Sequence, residues 1–330
     1  MFKIVFFSEG LEHTRFLEPV INKLLEIPDI EIWYYSLDHD EEIKMSKNVN
    51  FIHIERKQLL TSLKNIEADY FFTTTPGVGT IYFPKSKNVG KYVYTFHSLL
   101  SPNEIYKKNS FTNFDIIMSP NDLISLQLKL LVSKKTKIIT TGYPLFTALK
   151  KSKIKQKTVL IAPSWGKNNI FTDHNFENLL INLSSKNYDI IIRPHPMQLN
   201  LFDNNTLKKY KNLNVGFDLK KDLNNLGEYS ILITDWSGIA LEYYKLTQRH
   251  ILFTDTPKKV RRKLTNKERD IDLIEDSIRE KLGYVFKLNE DLYPLLESFD
   301  KYKFSEDKEF LETIYTPLFD NFSINEIFKV

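Results

Sequence analysis

The sequence predicts an α/β protein made of two doubly wound, Rossmann-like domains, each with a parallel sheet. Short apolar runs alternate with helix-length amphipathic segments along most of the chain, which is the pattern of βαβ units covered on both faces. At 330 residues the chain is also too long for one ordinary domain. A lysine-rich stretch interrupts the alternation, so we expect domains at 1–149 and 158–330 and a linker at 150–157, with the last helix able to pack back on the first domain.

The elements follow this alternation from the first residues onward. The run "FKIVFF" precedes Leu11–Glu26, where Phe16, Val20 and Leu24 recur every four residues, so a strand and then a helix are predicted. Further strands of the first half are predicted at 31–36, 49–54, 69–74, 91–96, 115–119 and 137–142, with a helical spacer at Leu123–Val132. Strands of the second half are predicted at 158–164, 189–195, 213–217, 230–235, 250–255 and 284–288.

Composition excludes several classes of protein. The chain has no cysteine, so it can form neither disulfides nor thiolate metal sites. No apolar run approaches the roughly 20 residues of a membrane span, so we expect a cytoplasmic protein. A net charge of +4 is too small to indicate nucleic-acid binding. The glycine patterns of nicotinamide-dependent oxidoreductases and of P-loop kinases are both missing.

Three strand ends of the second half carry residues suited to phosphate: "APSWGKNN" (162–169), "RPHP" (193–196) and "TDWSG" (234–238). Ligands of doubly wound sheets bind beyond the carboxyl ends of the strands. The prolines keep Arg193 and His195 out of a helix, and a guanidinium and an imidazole at a rigid strand end suit a diphosphate. "TDWSG" lies where a strand passes into a helix, whose first N–H groups attract anions.

His97 is the candidate of the first half, because it directly follows the fifth apolar run. An imidazole titrates near neutral pH, so His97 could take a proton from an attacking hydroxyl or, alternatively, bind phosphate. The other histidines lack comparable spacing and no metal site is indicated, so surface or packing roles are expected for His13, His39, His53, His174 and His250.

Taken in order, "TFHS", "TGYPLFTAL", "VLIAPSW", "IIRPHP", "LITDWSGIALEY" and "RHILFTD" resemble the CDP-glycerol glycerophosphotransferase family of teichoic-acid and capsule polymer enzymes. The resemblance covers roughly residues 90–255 and implies a GT-B-like fold, whose two domains face a cleft. It implies transfer of a glycerol-phosphate or related polyol-phosphate group from a CDP-activated donor to a hydroxyl of a glycan or lipid-linked polymer acceptor. A GT-B glycosyltransferase with a nucleotide-sugar donor, a UDP-N-acetylglucosamine 2-epimerase-like enzyme and a non-catalytic binding protein are the alternatives.

By the same resemblance, His97 and His195 are the candidate catalytic residues, and the donor nucleotide is a substrate rather than a cofactor. In this interpretation Glu242 accepts hydrogen bonds from ribose hydroxyls while Ser237 and Gly238 hold phosphate. The full set of candidate donor-binding residues is Ser164, Arg193, Thr234, Asp235, Ser237, Gly238 and Glu242.

A basic cluster at Lys258–Arg269, "KKVRRKLTNKER", is the densest in the chain. Because teichoic-acid-like acceptors are lipid-linked, we expect it to attach the protein peripherally to anionic lipid at the inner face of the membrane. Neighbouring acidic residues could instead neutralise these cations, or the cluster could be a loop over the donor phosphates.

Overall fold

The computed structural model describes residues 2–44, 46–107, 109–166, 170–202, 213–219, 225–258, 271–298 and 307–329, together with residues 208, 210, 265 and 268. The chain divides into two compact units. The first consists of Met1–Ala148, Arg262–Ile271 and Glu309–Val330, and the second of Leu149–Arg261 and Asp272–Lys308.

Each unit contains one parallel sheet. The strands of the first are β1 (Phe2–Ser8), β2 (Ile30–Ser36), β3 (Val49–His53), β4 (Ala68–Thr73), β5 (Val89–Thr95), β6 (Ile116–Ser119) and β7 (Lys137–Thr140). Those of the second are β8 (Lys155–Ile161), β9 (Asp189–Ile192), β10 (Val215–Phe217), β11 (Tyr229–Thr234), β12 (Ile251–Thr254) and β13 (Gly283–Phe286). Each predicted strand is present, within a few residues of its expected ends.

Helices connect these strands. The α-helices are α1 (Leu11–Leu25), α2 (Leu59–Asn65), α3 (Pro102–Ile105), α4 (Asp122–Leu128), α5 (Leu145–Ala148), α6 (Phe176–Ser185), α7 (Ile239–Thr247), α8 (Ile274–Lys281), α9 (Tyr293–Ser298) and α10 (Lys308–Tyr315). Short 3₁₀ helices occur at His39–Lys44, Arg56–Gln58, Ile170–Thr172, Pro196–Leu201, Leu226–Glu228, Phe319–Asn321 and Ile324–Lys329.

Both sheets are doubly wound. The strand order is β3-β2-β1-β4-β5-β6-β7 in the first unit and β10-β9-β8-β11-β12-β13 in the second. In each, the chain first builds one side of its starting strand and then crosses to the other side. The resulting switch points lie between β1 and β4 and between β8 and β11, where ligands of such sheets bind.

The core of the first unit lies between α1 and the sheet. Leu17, Val20 and Leu24 of α1 are fully buried against strand residues such as Phe6 and Phe72, whose rings stack 4.9 Å apart. The C-terminal segment closes the same core with Phe319, Phe322 and Ile327. Gly142 of "TGYP" allows this close approach, because it has a φ of +86° and a Cβ there would collide with the main chain of Pro317 and Phe319.

The second unit has an equivalent core, in which Phe176, Leu180 and Leu183 of α6 pack with Ile161 and Ile233 of the central strands. Strand β8 begins at Lys155 and pairs there with Tyr229 of β11. Residues 155–157, which we expected in the linker, therefore belong to the sheet.

Candidate functional site

Three polar segments meet at the carboxyl edge of the second sheet, beside its switch point. They follow β9, β8 and β11, which are adjacent and parallel. The main-chain N–H of Arg193 donates to the carbonyl of Ile161 at 2.9 Å, and that of Ala162 donates to the carbonyl of Ile233 at 3.0 Å. The three segments therefore leave the sheet at the same level, as a shared site requires.

Ser164 and Asp235 join the two segments at the switch point itself. Asp235 accepts hydrogen bonds from the main-chain N–H of Ser164 at 2.6 Å and from its hydroxyl at 2.8 Å. Thr234 adds a third link, because its hydroxyl donates to the carbonyl of Ala162 at 2.7 Å. These groups are buried, so Thr234 and Asp235 hold the site together and do not present their side chains to a nucleotide as we expected.

Arg193 is likewise engaged within the protein. Its Nη2 lies 2.6 Å from the Asp218 carboxylate and also donates to the side-chain oxygen of Asn225, while its Nε donates to Asp218 at 3.2 Å. Asp218 directly follows β10, the neighbour of β9 on its outer side. Arg193, which we expected to bind phosphate, therefore forms a buried ion pair with Asp218. This ion pair fixes the end of β9, beside His195.

His195 is placed to donate a hydrogen bond. Its Nδ1 accepts the main-chain N–H of Met197 at 3.2 Å, so the neutral ring carries its hydrogen on Nε2. The backbone is extended between two prolines, as predicted, and the half-buried ring lies 6.2 Å from that of Trp165. An Nε2–H group suits a phosphate oxygen.

Ser237 and Gly238 lie at the beginning of α7 and are partly exposed. No side chain caps this helix. In its first turn the N–H groups of Ala240 and Leu241 donate to the carbonyls of Ser237 and Gly238 at 3.3 and 3.0 Å. The positive end of the helix dipole at Ser237 and Gly238 favours an anion. Glu242, the expected ribose ligand, lies further along the same helix with only 7% of its surface exposed.

In the first unit, His97 follows β5 and is surrounded by aromatic rings. The Tyr94 hydroxyl lies 3.2 Å from Nδ1 of His97 and donates its hydrogen to the Tyr106 hydroxyl at 3.1 Å. A phenol has one hydrogen to donate, so Tyr94 accepts from Nδ1, and Nε2 of the neutral His97 ring keeps its lone pair. His97 and His195 thus have opposite tautomers, one accepting at Nε2 and the other donating.

The pKa of His97 is lowered from its ordinary value of 6.5 to about 3, mainly by burial of the ring. The nearby His13 and Arg15 contribute smaller parts of the same shift. The ring is therefore neutral at neutral pH, whereas the sequence suggested titration in the physiological range. The difference arises because the ring packs beside Phe16 and Tyr106 and lies close to His13 and Arg15.

His13 is a candidate site residue that sequence reasoning missed. Its ring centroid lies 5.4 Å from that of His97, and its Nδ1 lies 2.9 Å from the hydroxyl of Thr74. His13 is in the first turn of α1, directly after β1, while Thr74 follows β4, so the pair spans the switch point of the first sheet. Its position one turn beyond the first strand was the signal available in the sequence.

The basic cluster is described only in part. Lys258 forms an ion pair with Asp276, with 2.8 Å between Nζ and Oδ2, which fits the alternative of local neutralisation. Its other cations, Lys259, Arg261, Arg262, Lys263, Lys267 and Arg269, lie outside the described residues. Within the described ranges no helix is long and apolar enough to cross a membrane, and no group of three acidic or histidine side chains is arranged to hold a metal ion.

Comparison with solved structures supports the GT-B-like fold. The wall teichoic acid polymerase TagF is 18% identical, with a TM-score of 0.56 over 94% of this chain and 82% of that one. MnaA of S. aureus, solved with UDP, is 13% identical, with a TM-score of 0.60 over 99% and 95%. The UDP-N-acetylglucosamine 2-epimerase of Rickettsia bellii is 11% identical, with a TM-score of 0.56 over 100% and 95%.

Comparison with sequences identifies the family. No curated protein sequence matches the chain. The family model of CDP-Glycerol:Poly(glycerophosphate) glycerophosphotransferase matches residues 31–309, well over half of the chain, and includes both His97 and His195. The predicted family and the GT-B-like fold are confirmed: the chain is a transferase that belongs to the CDP-glycerol:poly(glycerophosphate) glycerophosphotransferase family.

Proposed function

We propose that the protein transfers glycerol phosphate from a CDP-activated donor to a hydroxyl of a polymer acceptor, and that the second unit holds the donor diphosphate. The observation that carries the donor site is the shared strand edge, where the Nε2–H of His195 follows β9 and the uncapped start of α7 follows β11, the two neighbours of β8. Both features donate hydrogen bonds, and neither presents a carboxylate. A diphosphate requires donors of this kind.

In this proposal Ser237 and Gly238 receive one phosphate through their amides and the serine hydroxyl, and His195 donates to a phosphate oxygen. Ser164, Asp235 and Arg193 support these ligands through the hydrogen bonds described above. Such pre-positioned donors stabilise the charge that develops on phosphoryl oxygens during transfer.

We assign His97 to the acceptor hydroxyl. The hydroxyl oxygen bonds to the phosphorus that carries glycerol, the bridging P–O bond breaks, and CMP leaves with the bridging oxygen. Nε2 of His97 accepts the hydrogen bond of the hydroxyl and orients it for attack. A ring with a pKa of about 3 does not retain a proton at neutral pH, so His97 passes it on to water.

A direct assay tests this proposal. Purified protein is incubated with CDP-glycerol, CDP-ribitol or a UDP-sugar, with and without a poly(glycerol phosphate) acceptor, and the released nucleotide is identified. We expect CMP from CDP-glycerol, in an amount that depends on the acceptor and falls in His195→Ala and His97→Ala. Release of UDP from a UDP-sugar, with none of CMP, would instead indicate a glycosyltransferase.

We also propose that the basic cluster at Lys258–Arg269 attaches the protein to an anionic membrane surface. Each cation near such a surface contributes about 1 kcal/mol, and the attraction fades within a Debye length of about 8 Å at physiological salt. Sedimentation with phosphatidylserine vesicles should be lost at high salt and reduced when Lys259, Arg261, Arg262 and Lys263 are changed to Ser. Equal sedimentation of both proteins would exclude this role.

A further inference from the structure

Arg279 of α8 joins the ends of two strands beside the proposed donor site. Its Nη1 donates to the main-chain carbonyl of Asp235 at 3.0 Å, and its Nη2 donates to that of Thr254 at 3.1 Å. The side chain is buried, with 6% of its surface exposed. One guanidinium therefore binds the carboxyl ends of β11 and β12 together.

The same guanidinium packs against Trp236, the residue that precedes Ser237. Its central carbon lies 3.9 Å from the centroid of the indole, a cation–π distance. The edge of the indole is also fixed, because its Nε1–H donates to the carbonyl of Thr256 at 2.8 Å. Asp235 and Trp236, which lead into the start of α7, are thus held by Arg279 through both main chain and side chain.

Arg279 is a buried cation that donates its two hydrogen bonds to main-chain carbonyl oxygens. Among the described residues no carboxylate forms a salt bridge with it, and Asp235, Asp255 and Asp276 act only from further away.

We infer that Arg279 is a positioning residue for the donor diphosphate, which it serves by holding Asp235 and Trp236 so that the amides of Ser237 and Gly238 stay directed at the phosphate. This inference rests on the donor site proposed above. Lysine could not replace it fully, because an ammonium cannot reach two carbonyls in a fixed fork while stacking on an indole.

The test compares Arg279→Met with a matched control, Arg249→Met. Arg249 also donates to a main-chain carbonyl of β11, that of Ser230 at 3.2 Å, but at the opposite end of the strand. We expect KM for CDP-glycerol to rise about ten-fold or more in Arg279→Met, with a much smaller change in kcat, because the misplaced amides bind the diphosphate less well in the ground state and the transition state alike. Arg249→Met should keep the wild-type KM. The KM of Arg279→Lys should lie between those of the wild type and Arg279→Met.

Binding without turnover is measured in parallel as the rise in melting temperature caused by CDP. The wild type and Arg249→Met should show this rise, and Arg279→Met should largely lose it. If both variants respond to CDP like the wild type and keep its KM, the role of Arg279 is overturned while the donor site stands. If the wild type itself does not respond to CDP, the donor site fails and the inference with it. Should Arg279→Met not fold, a wild-type KM in Arg279→Lys is enough to overturn the inference.

Discussion

Asp235 accepts both the main-chain N–H and the hydroxyl of Ser164, at 2.6 and 2.8 Å, across the switch point of the second sheet. The carboxylate thereby connects the segment after β8 to the segment after β11. The aspartate of "TDWSG" is therefore structural, whereas Ser237 and Gly238, which follow it, are partly exposed and are the residues to which we assign the donor phosphate.

Asp235→Ala should destabilise the protein, because two buried donors of Ser164 lose their acceptor. Hydrogen bonds to a charged group contribute about 1.5–3 kcal/mol each, so we expect the loss of both to lower the free energy of unfolding by about 3–6 kcal/mol, measured by urea denaturation. Asp235→Asn keeps an acceptor for the main-chain N–H of Ser164 and should lose clearly less stability than Asp235→Ala. Equal stability of Asp235→Ala and the wild type would contradict the link.

Arg193→Met should cost about 3–5 kcal/mol of stability, because it leaves the buried Asp218 carboxylate without its cation. Replacing both partners, as Arg193→Met with Asp218→Leu, should restore part of that loss. The comparison is made by urea denaturation in a double-mutant cycle. If the two changes prove additive, Arg193 and Asp218 do not act as a pair.

His195→Ala should weaken CDP binding by about 10–100-fold, which corresponds to the loss of one charge-assisted hydrogen bond. His195→Gln, which can still donate to a phosphate oxygen, should retain part of the affinity. Isothermal titration with CDP measures both, and His174→Ala is the control because that side chain is 90% exposed. Unchanged affinity in His195→Ala would remove this residue from the donor site.

The low pKa of His97 predicts a pH-dependent stability. Since the folded pKa is about 3 and the unfolded value is near 6.5, the unfolded chain binds a proton in this window that the folded chain does not. Stability should therefore fall as the pH drops below about 6.5, by up to about 1.4 kcal/mol per pH unit. In urea denaturation from pH 7.5 to 5, His97→Gln should show a shallower decline than the wild type or His174→Gln. Parallel declines would show that the pKa of His97 is not lowered in the folded protein.

Glu41 predicts the opposite pH dependence. Burial raises its pKa, although hydroxyls such as that of Ser8, which donates to Oε1 at 2.9 Å, lower it in part. Stability associated with its neutral form is present at low pH and is lost as the pH rises through the folded pKa. Glu41→Gln should therefore become more stable than the wild type as the pH rises from 4.5 to 8, whereas the exposed Glu42→Gln should not. Urea denaturation across this range measures the difference.

The sequence by itself determined the strands, their alternation with helices and the strand ends that carry polar residues. These features depend on the local pattern of apolar residues. A strand such as β11, "YSILIT", is a continuous run of buried residues because both of its faces are covered. The order of the motifs was enough to predict the family and to select His97 and His195.

Tertiary structure decided which of the selected residues remain available. Arg193 is bound by Asp218 because strand order places β10 beside β9, and His13 meets His97 because the first sheet is wound from β1 to β4. Arg279 reaches Asp235 from 44 positions further along the chain. Such contacts depend on the order in which strands pair, which periodicity does not encode, and burial then sets a charge or a pKa that the isolated residue does not have.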